Sequence, residues 1–152
     1  MKKKVHPIAG AIAILTIAAF WLSTALSELS GSKAATIAVK SAIPWGFLLL
    51  IPALSLAGGT GFSLARGRKG GVIDAKIKRM PFIAANGVLV LIPSALFLTF
   101  KAKAATFDGS FYLVQVIELV AGATNITLLG LNMRDGFRIK HRFSDKATQA
   151  KA

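Results

Sequence analysis

The chain has 152 residues, of which 54% are hydrophobic, and a formal net charge of +13. Its mean hydropathy of +0.62 is too high for an ordinary soluble domain, so the composition predicts a membrane protein. Because the chain has no cysteine, disulfides, thiolate metal sites and thiol redox chemistry are excluded.

Four apolar segments are long enough to cross a bilayer, which takes about 20 residues per helix. They cover residues 7–29, 42–65, 80–100 and 111–131. The sequence therefore predicts an all-α protein, a four-helix transmembrane bundle that forms one domain over residues 1–143. Within it, residues 133–143 alternate apolar and basic side chains, which is typical of a segment lying on lipid headgroups. Residues 144–152 are predicted to form a polar tail.

The first segment follows three lysines and ends among small residues, a pattern shared with secretory signals. Its apolar run is long for a signal, so we interpret it as a membrane anchor that is retained. The polar side chains Thr24, Ser27 and Glu28 occupy neighbouring positions at its far end.

Basic residues are divided unequally between the loops on alternate sides of the membrane. Fifteen of the nineteen lysines and arginines fall on one side. The other side has Lys33, Lys40, Lys101 and Lys103. The positive-inside rule then predicts that both termini are cytoplasmic, in a bacterial inner membrane. Since the charge follows this topology, it does not indicate a nucleic-acid partner.

Basic side chains at the membrane surface are also expected to contact anionic lipid headgroups. The candidates lie in the central loop, at the start of the third segment and after the fourth. They are Arg66, Arg68, Lys69, Arg79, Arg134 and Arg138.

The third segment carries Asn86 and an interior proline, Pro93. At about 1.5 Å of rise per residue, Asn86 lies roughly 9 Å from one end of its helix. Asn125 of the fourth segment lies about equally deep from the same side. The two amides are therefore predicted to form a hydrogen bond.

The fourth segment has one charged residue, Glu118. Polar or small residues recur around it at steps that place them on one narrow stripe of a helix. The stripe consists of Gln115, Glu118, Gly122, Asn125 and Asn132. A carboxylate in hydrocarbon costs roughly 2.5 kcal/mol or more, so we expect the stripe to face protein.

These residues together define a predicted intramembrane polar site. It consists of Glu118, Asn125, Asn86, Gln115, Thr24, Ser27 and Glu28. No cluster of metal ligands and no Ser, His and carboxylate set is brought together by the predicted topology, so neither a metal site nor a catalytic site is predicted.

The two helix hairpins show a weak internal similarity. Residues 6–10 and 80–84 both open helices after a basic run, and residues 57–60 resemble residues 121–124. This pattern is consistent with a tandem repeat of two hairpins.

Several short matches resemble the four-helix bacterial cytochrome b561 and related b-type cytochrome membrane subunits. They are His6 opening the first helix, Ser30 and Gly31 at its far end, Lys40 and Ser41 opening the second, and Leu91 to Ser94 in the third. The resemblance implies haem b between the helices and electron transfer with quinone. The chain departs from the family at the start of the second helix, where Val39 stands in place of a histidine.

The available haem ligands would be few. His6 and His141 are the only histidines, and both are predicted to lie near the same surface. Haem could be held by these two residues, by His6 and Met80, or by residues shared between protomers.

The sequence leaves three functions open. The first is a non-enzymatic membrane component or accessory subunit, in which small residues along the helices pack against a second copy or a membrane partner. The second is a b-type cytochrome-like protein that binds haem or quinone. The third is a proton- or cation-coupled transporter centred on Glu118. Enzymatic activity is not predicted.

Overall fold

The structure is a computed structural model that describes residues 2–65 and 71–149, with side chains described for 5–64, 71 and 73–138. Its elements are α1 (Lys2–Leu29), α2 (Lys33–Ala65), α3 (Gly71–Asn86), a π-helical turn (Gly87–Leu91), α4 (Ile92–Lys103) and α5 (Gly109–Gln149). No strand occurs within these described ranges.

Because α3, the π turn and α4 follow one another without a break, the described chain forms four helices. Each contains a stretch long and apolar enough to span a membrane. These stretches are Val5–Leu29, Lys33–Leu64, Ile73–Lys103 and Gly109–Arg138. The prediction of an all-α, four-helix membrane-spanning bundle is confirmed, and the chain is a small, multi-pass integral membrane protein.

The helices are longer than the apolar segments from which they were predicted. The second begins at Lys33 rather than near Ala42, and the last continues to Gln149. The interfacial segment and most of the polar tail expected from the sequence are thus helical continuations of α5. Residues 150–152 lie outside the described part of the chain.

Two short connections lie at the same end of the bundle, which we call the hairpin end. The first is the turn after α1, where Gly31 has a φ of 63°, a conformation that glycine adopts without strain. The second is residues 104–108, between α4 and α5. At the opposite end, which we call the basic end, α1 and α3 begin and α2 terminates.

Asp108 caps the start of α5 at the hairpin end. Its carboxylate accepts hydrogen bonds from the Ser110 hydroxyl at 2.7 Å and the Phe111 N–H at 3.0 Å, and it pairs with Lys101. The Lys101 ammonium, with these two donors, holds the pKa of Asp108 well below its usual range. The connection between α4 and α5 is therefore fixed by polar contacts outside the membrane-spanning stretches.

The core between α1, α2 and α5 is built from small and branched residues. Ala13, Ile17, Leu50 and Ala53 form a buried cluster, and Phe20 packs against it. Small side chains let membrane helices approach closely, which strengthens their van der Waals contacts. Large apolar side chains are instead common on the outside of the bundle, as expected for a surface in contact with lipid.

The π turn follows from a proline. Pro93, the second residue of α4, has no N–H, and its ring would collide with the carbonyl four residues earlier in a regular α-helix. The wider turn accommodates the ring, and the Ile92 N–H bonds to the Gly87 carbonyl five residues back. The sequence analysis identified Pro93 as an interior proline but did not predict the π turn.

Gly46 allows α1 and α2 to meet, because a Cβ at this position would overlap the ring of Phe20. We expect Gly46→Leu to displace Phe20 and to lower the free energy of unfolding by about 1–3 kcal/mol, the usual effect of overpacking. The measurement is thermal unfolding in detergent. The matched control is Gly58→Leu on the same helix, where a Cβ would have no neighbour within 4 Å. Equal melting temperatures for the two variants would contradict this account of the interface.

Candidate functional site in the membrane-spanning region

The centre of the candidate site is Lys40 of α2, whose side chain is 0% exposed. Its ammonium forms an ion pair with Glu118 of α5. It also donates a hydrogen bond to the Thr24 hydroxyl of α1, at 3.4 Å. One buried ammonium group thus joins three helices.

The sequence analysis assigned Lys40 to a loop, and this assignment is wrong. Since α2 begins at Lys33, Lys40 lies two turns inside the helix. Two signals could have identified it. Residues 34–43 contain neither glycine nor proline, which is consistent with a helix, and an intramembrane carboxylate such as Glu118 needs a cation at similar depth.

Two further groups surround Glu118. The Gln115 amide donates a hydrogen bond to its carboxylate at 3.3 Å, and the Gln115 side chain is 3% exposed. Glu28, at the end of α1, interacts electrostatically with both Lys40 and Glu118. We refer to Thr24, Glu28, Lys40, Gln115 and Glu118 as the Lys40 cluster. Four of its members were predicted from the sequence, and Lys40 was not.

The remaining helix also contacts this region. The Thr99 hydroxyl of α4 lies 2.7 Å from the backbone carbonyl oxygen of Lys40 and 2.7 Å from that of Ala95 in its own helix, so α4 contacts the segment of α2 that carries the lysine. Ser27, which was predicted as part of the site, donates instead to the Thr24 carbonyl at 2.9 Å. Its hydroxyl therefore forms a hydrogen bond within α1 and does not contact another helix through this bond.

A cavity of about 60 Å³ adjoins the Lys40 cluster. Glu118 and Thr24 are among the residues that line it, and most of the remaining wall is apolar. The Trp21 indole, which forms part of this wall, is fixed by a hydrogen bond from its N–H to the Leu119 carbonyl at 2.8 Å. The cavity therefore presents one acidic group at the edge of an otherwise apolar space.

The predicted hydrogen bond between Asn86 and Asn125 is confirmed. The Asn86 amide donates to the Asn125 side-chain oxygen at 2.9 Å and to the Ala121 carbonyl at 2.9 Å. Asn125, which is 1% exposed, donates in turn to the Ile83 carbonyl at 3.3 Å. These contacts join α3 to α5 with each amide paired.

At the basic end, Arg79 binds Asp135 at 2.7 Å and Asn132 at 3.4 Å. Arg79 was predicted to contact lipid, but its guanidinium is directed to α5. Arg134 and Arg138 have exposed side chains, and Arg134 also lies 3.7 Å from Asp135. Arg66, Arg68 and Lys69 lie outside the described residues.

The candidate haem ligand His6 is held by protein groups at both ring nitrogens. Nδ1 lies 3.0 Å from the Ala57 carbonyl oxygen, and Nε2 lies 3.3 Å from the Lys76 ammonium. With the proton on Nδ1, the ring donates to Ala57 and accepts from Lys76. Either nitrogen would have to give up its partner before it could bind iron.

The structure brings two of the possible ligands to one place. The side chains of His6 and Met80 both lie against Gly61, whose missing Cβ leaves room for them. The side chain of His141 is not among those that the structure describes. Within the described residues, no group of three or more His, Asp or Glu side chains could hold a metal ion.

Comparisons with protein-family models, curated proteins and solved structures find no match to this chain. The fold and composition define the class, a small integral membrane protein with four spanning helices. Its function has to be inferred from the Lys40 cluster itself.

Replacing the Lys40 ammonium with an uncharged side chain is expected to destabilise the bundle. Lys40→Met leaves Glu118 as an uncompensated buried charge, which typically costs about 3–5 kcal/mol. The double variant Lys40→Met with Glu118→Leu should recover much of the loss, because both charges are then gone. Thermal unfolding in detergent measures both effects.

The matched control is Lys101→Met, which breaks the partly exposed pair of Lys101 with Asp108. Surface pairs contribute only about 0–1 kcal/mol, so the expected loss is small. If Lys101→Met and Lys40→Met reduced stability equally, the Lys40 pair would not have the importance assigned to it.

Proposed function

We propose that the protein moves protons or small cations through the membrane, with the Lys40–Glu118 pair as the group that takes up and releases the charge. The observation that carries this proposal is a fully buried lysine paired with a glutamate inside the membrane-spanning bundle. A buried ion pair is often no more stabilising than an apolar pair of similar volume. Intramembrane charges accordingly tend to mark ion or proton pathways.

The cluster offers a simple way to couple charge uptake to a structural change. When Glu118 binds a proton, its attraction for the Lys40 ammonium falls. Glu28, the second carboxylate in electrostatic contact with Lys40, then becomes the better partner. Lys40 would thus alternate between two carboxylates, and each position favours a different packing of α1, α2 and α5.

Polar groups continue along α5 beyond the cluster. From Glu118, Asn125 lies seven residues further, or about 10 Å along the helix, and Asp135 lies about 15 Å beyond Asn125. Each contacts another helix, Asn125 through Asn86 and Asp135 through Arg79. These side chains of α5 therefore supply polar groups near both ends and in the middle of the bundle, as a transfer path requires.

We further propose that the protein lies in a bacterial inner membrane with both termini in the cytoplasm. The support is the excess of lysine and arginine in the segments that meet at the basic end. In this orientation, the Lys40 cluster lies nearer the outer surface. Open positions at Gly10 of α1 and Gly59 of α2, where a Cβ would meet nothing within 4 Å, support self-association or a membrane partner.

The transport proposal is tested with protein reconstituted in liposomes under an imposed pH or Na⁺ gradient. We expect the wild-type protein to dissipate one of these gradients, and Glu118→Gln to reduce the rate to that of protein-free liposomes, because the amide cannot take up the charge. The control, Asp74→Asn, removes an exposed carboxylate near the basic end and should retain the wild-type rate.

Unchanged flux in Glu118→Gln would contradict the proposal, as would a wild-type rate no higher than that of empty liposomes.

An absorption spectrum of the purified protein distinguishes ion transport from the main alternative, a haem-binding protein. A Soret band that disappears in His6→Ala would favour the b-type cytochrome resemblance over ion transport.

The proposed orientation can be tested because the chain has no native cysteine. Thr106→Cys places a single thiol in the exposed connection at the hairpin end, and Asp74→Cys places one at an exposed position near the basic end. In intact cells, a membrane-impermeant maleimide should label the first variant, and it should label the second only after lysis. The reverse pattern would overturn the orientation.

A further inference from the structure

Two oxygen atoms of the Lys40 cluster are buried without a partner. Glu28 Oε1 and Gln115 Oε1 accept no hydrogen bond from any group in the described part of the chain. A buried polar atom left unpaired costs about 1–3 kcal/mol. Since both atoms are acceptors, what they lack is a hydrogen-bond donor or a cation.

The charges of the cluster point to the same deficit. Glu28 and Glu118 contribute two negative charges, and Lys40 contributes one positive charge. Lys40 of α2 and Glu118 of α5 are the charged groups that act on Glu28. With both carboxylates ionised, the cluster therefore has a surplus of one negative charge, which a further cation would balance.

We propose that Glu28 and Gln115, beside the Lys40–Glu118 pair, form a binding site for one monovalent cation, taken up as a proton or as an alkali-metal ion. This inference rests on the proposed function and identifies the ion that the cluster binds. Carboxylate and amide oxygens are the ligands that hard cations prefer. A divalent ion would instead leave the site with an excess of positive charge.

The proton and the alkali ion would use the same oxygens. A protonated Glu28 gains an O–H donor, and Gln115 Oε1 is the buried acceptor of the same cluster that lacks one. An alkali ion would be coordinated by Glu28 Oε1 and Gln115 Oε1 directly. Glu28 is half-buried and lies one residue from the end of α1, so the charge would enter from the hairpin end.

The test is infrared difference spectroscopy of the purified protein in detergent, titrated with acid in choline buffer and then with Na⁺. We expect a carboxylic acid C=O band that titrates in the wild-type protein and is lost in Glu28→Gln. Gln115→Leu removes an acceptor for the protonated form, so its titration midpoint should fall by about one pH unit, a tenfold loss of proton affinity. The control, Asp74→Asn, removes an exposed carboxylate and should leave the band unchanged.

The Na⁺ titration distinguishes the two sources of charge. If Na⁺ removes the band at constant pH, the site takes alkali ions in competition with protons; if it has no effect, the site takes protons alone. Either result supports a monovalent site. If no band depends on Glu28 and Na⁺ changes no carboxylate signal, the two oxygens are satisfied by water and the inference is overturned.

Size-exclusion chromatography identifies any variant that fails to fold, and Gln115→Leu keeps the inference testable where Glu28→Gln does not fold. Binding is measured here without a membrane gradient, so it is independent of flux. A Glu28-dependent band in a protein that shows no flux would refute transport and leave the site intact. Flux in a protein without this band would refute the site alone.

Discussion

The structure depends on one interaction, the ion pair between Lys40 and Glu118 within the membrane-spanning bundle. An unpaired charge is costly in hydrocarbon, so the bundle favours the arrangement in which the side chains of Lys40 and Glu118 meet, although the described backbones of α2 and α5 are not neighbours. Thr24 adds α1 through its hydroxyl, and Thr99 ties α4 to the backbone of Lys40. Lys40 and its paired carboxylate thus contact all the other spanning helices near the hairpin end.

The other polar contacts of the bundle differ from this pair in how completely they are satisfied. Asn86 and Asn125 bond to each other and to backbone carbonyls, which is the behaviour of a contact that joins two helices. Within the Lys40 cluster, in contrast, Glu28 and Gln115 keep buried oxygens unpaired and one negative charge uncompensated. Unsatisfied groups raise the energy of a purely structural contact, so this difference favours the cluster as the functional part of the molecule.

The sequence predicted the features that depend on apolar length, on spacing within one helix and on depth along the helices. Apolar length indicated the four spans, a regular spacing placed Glu118 and Asn125 on one face, and the rise per residue matched Asn86 to Asn125 in depth. Lys40 was missed because a charge near the edge of an apolar run is normally assigned to a loop. The pairing of side chains on different helices depends on the rotation of each helix about its axis, and periodicity within one helix does not specify that rotation.

The cavity beside the cluster constrains how a charge could travel. Its wall is apolar except for Glu118 and Thr24, and Leu91 and Gly122 are among the residues that line it. A charge on Glu118 would therefore meet a desolvation barrier before reaching Asn125, so movement through the bundle requires a second arrangement of the helices. The π turn that ends at Leu91 borders this cavity. Pro93 next to this turn donates no backbone hydrogen bond, so a shift of α3 relative to α4 here would break one bond fewer than a shift elsewhere in the helix.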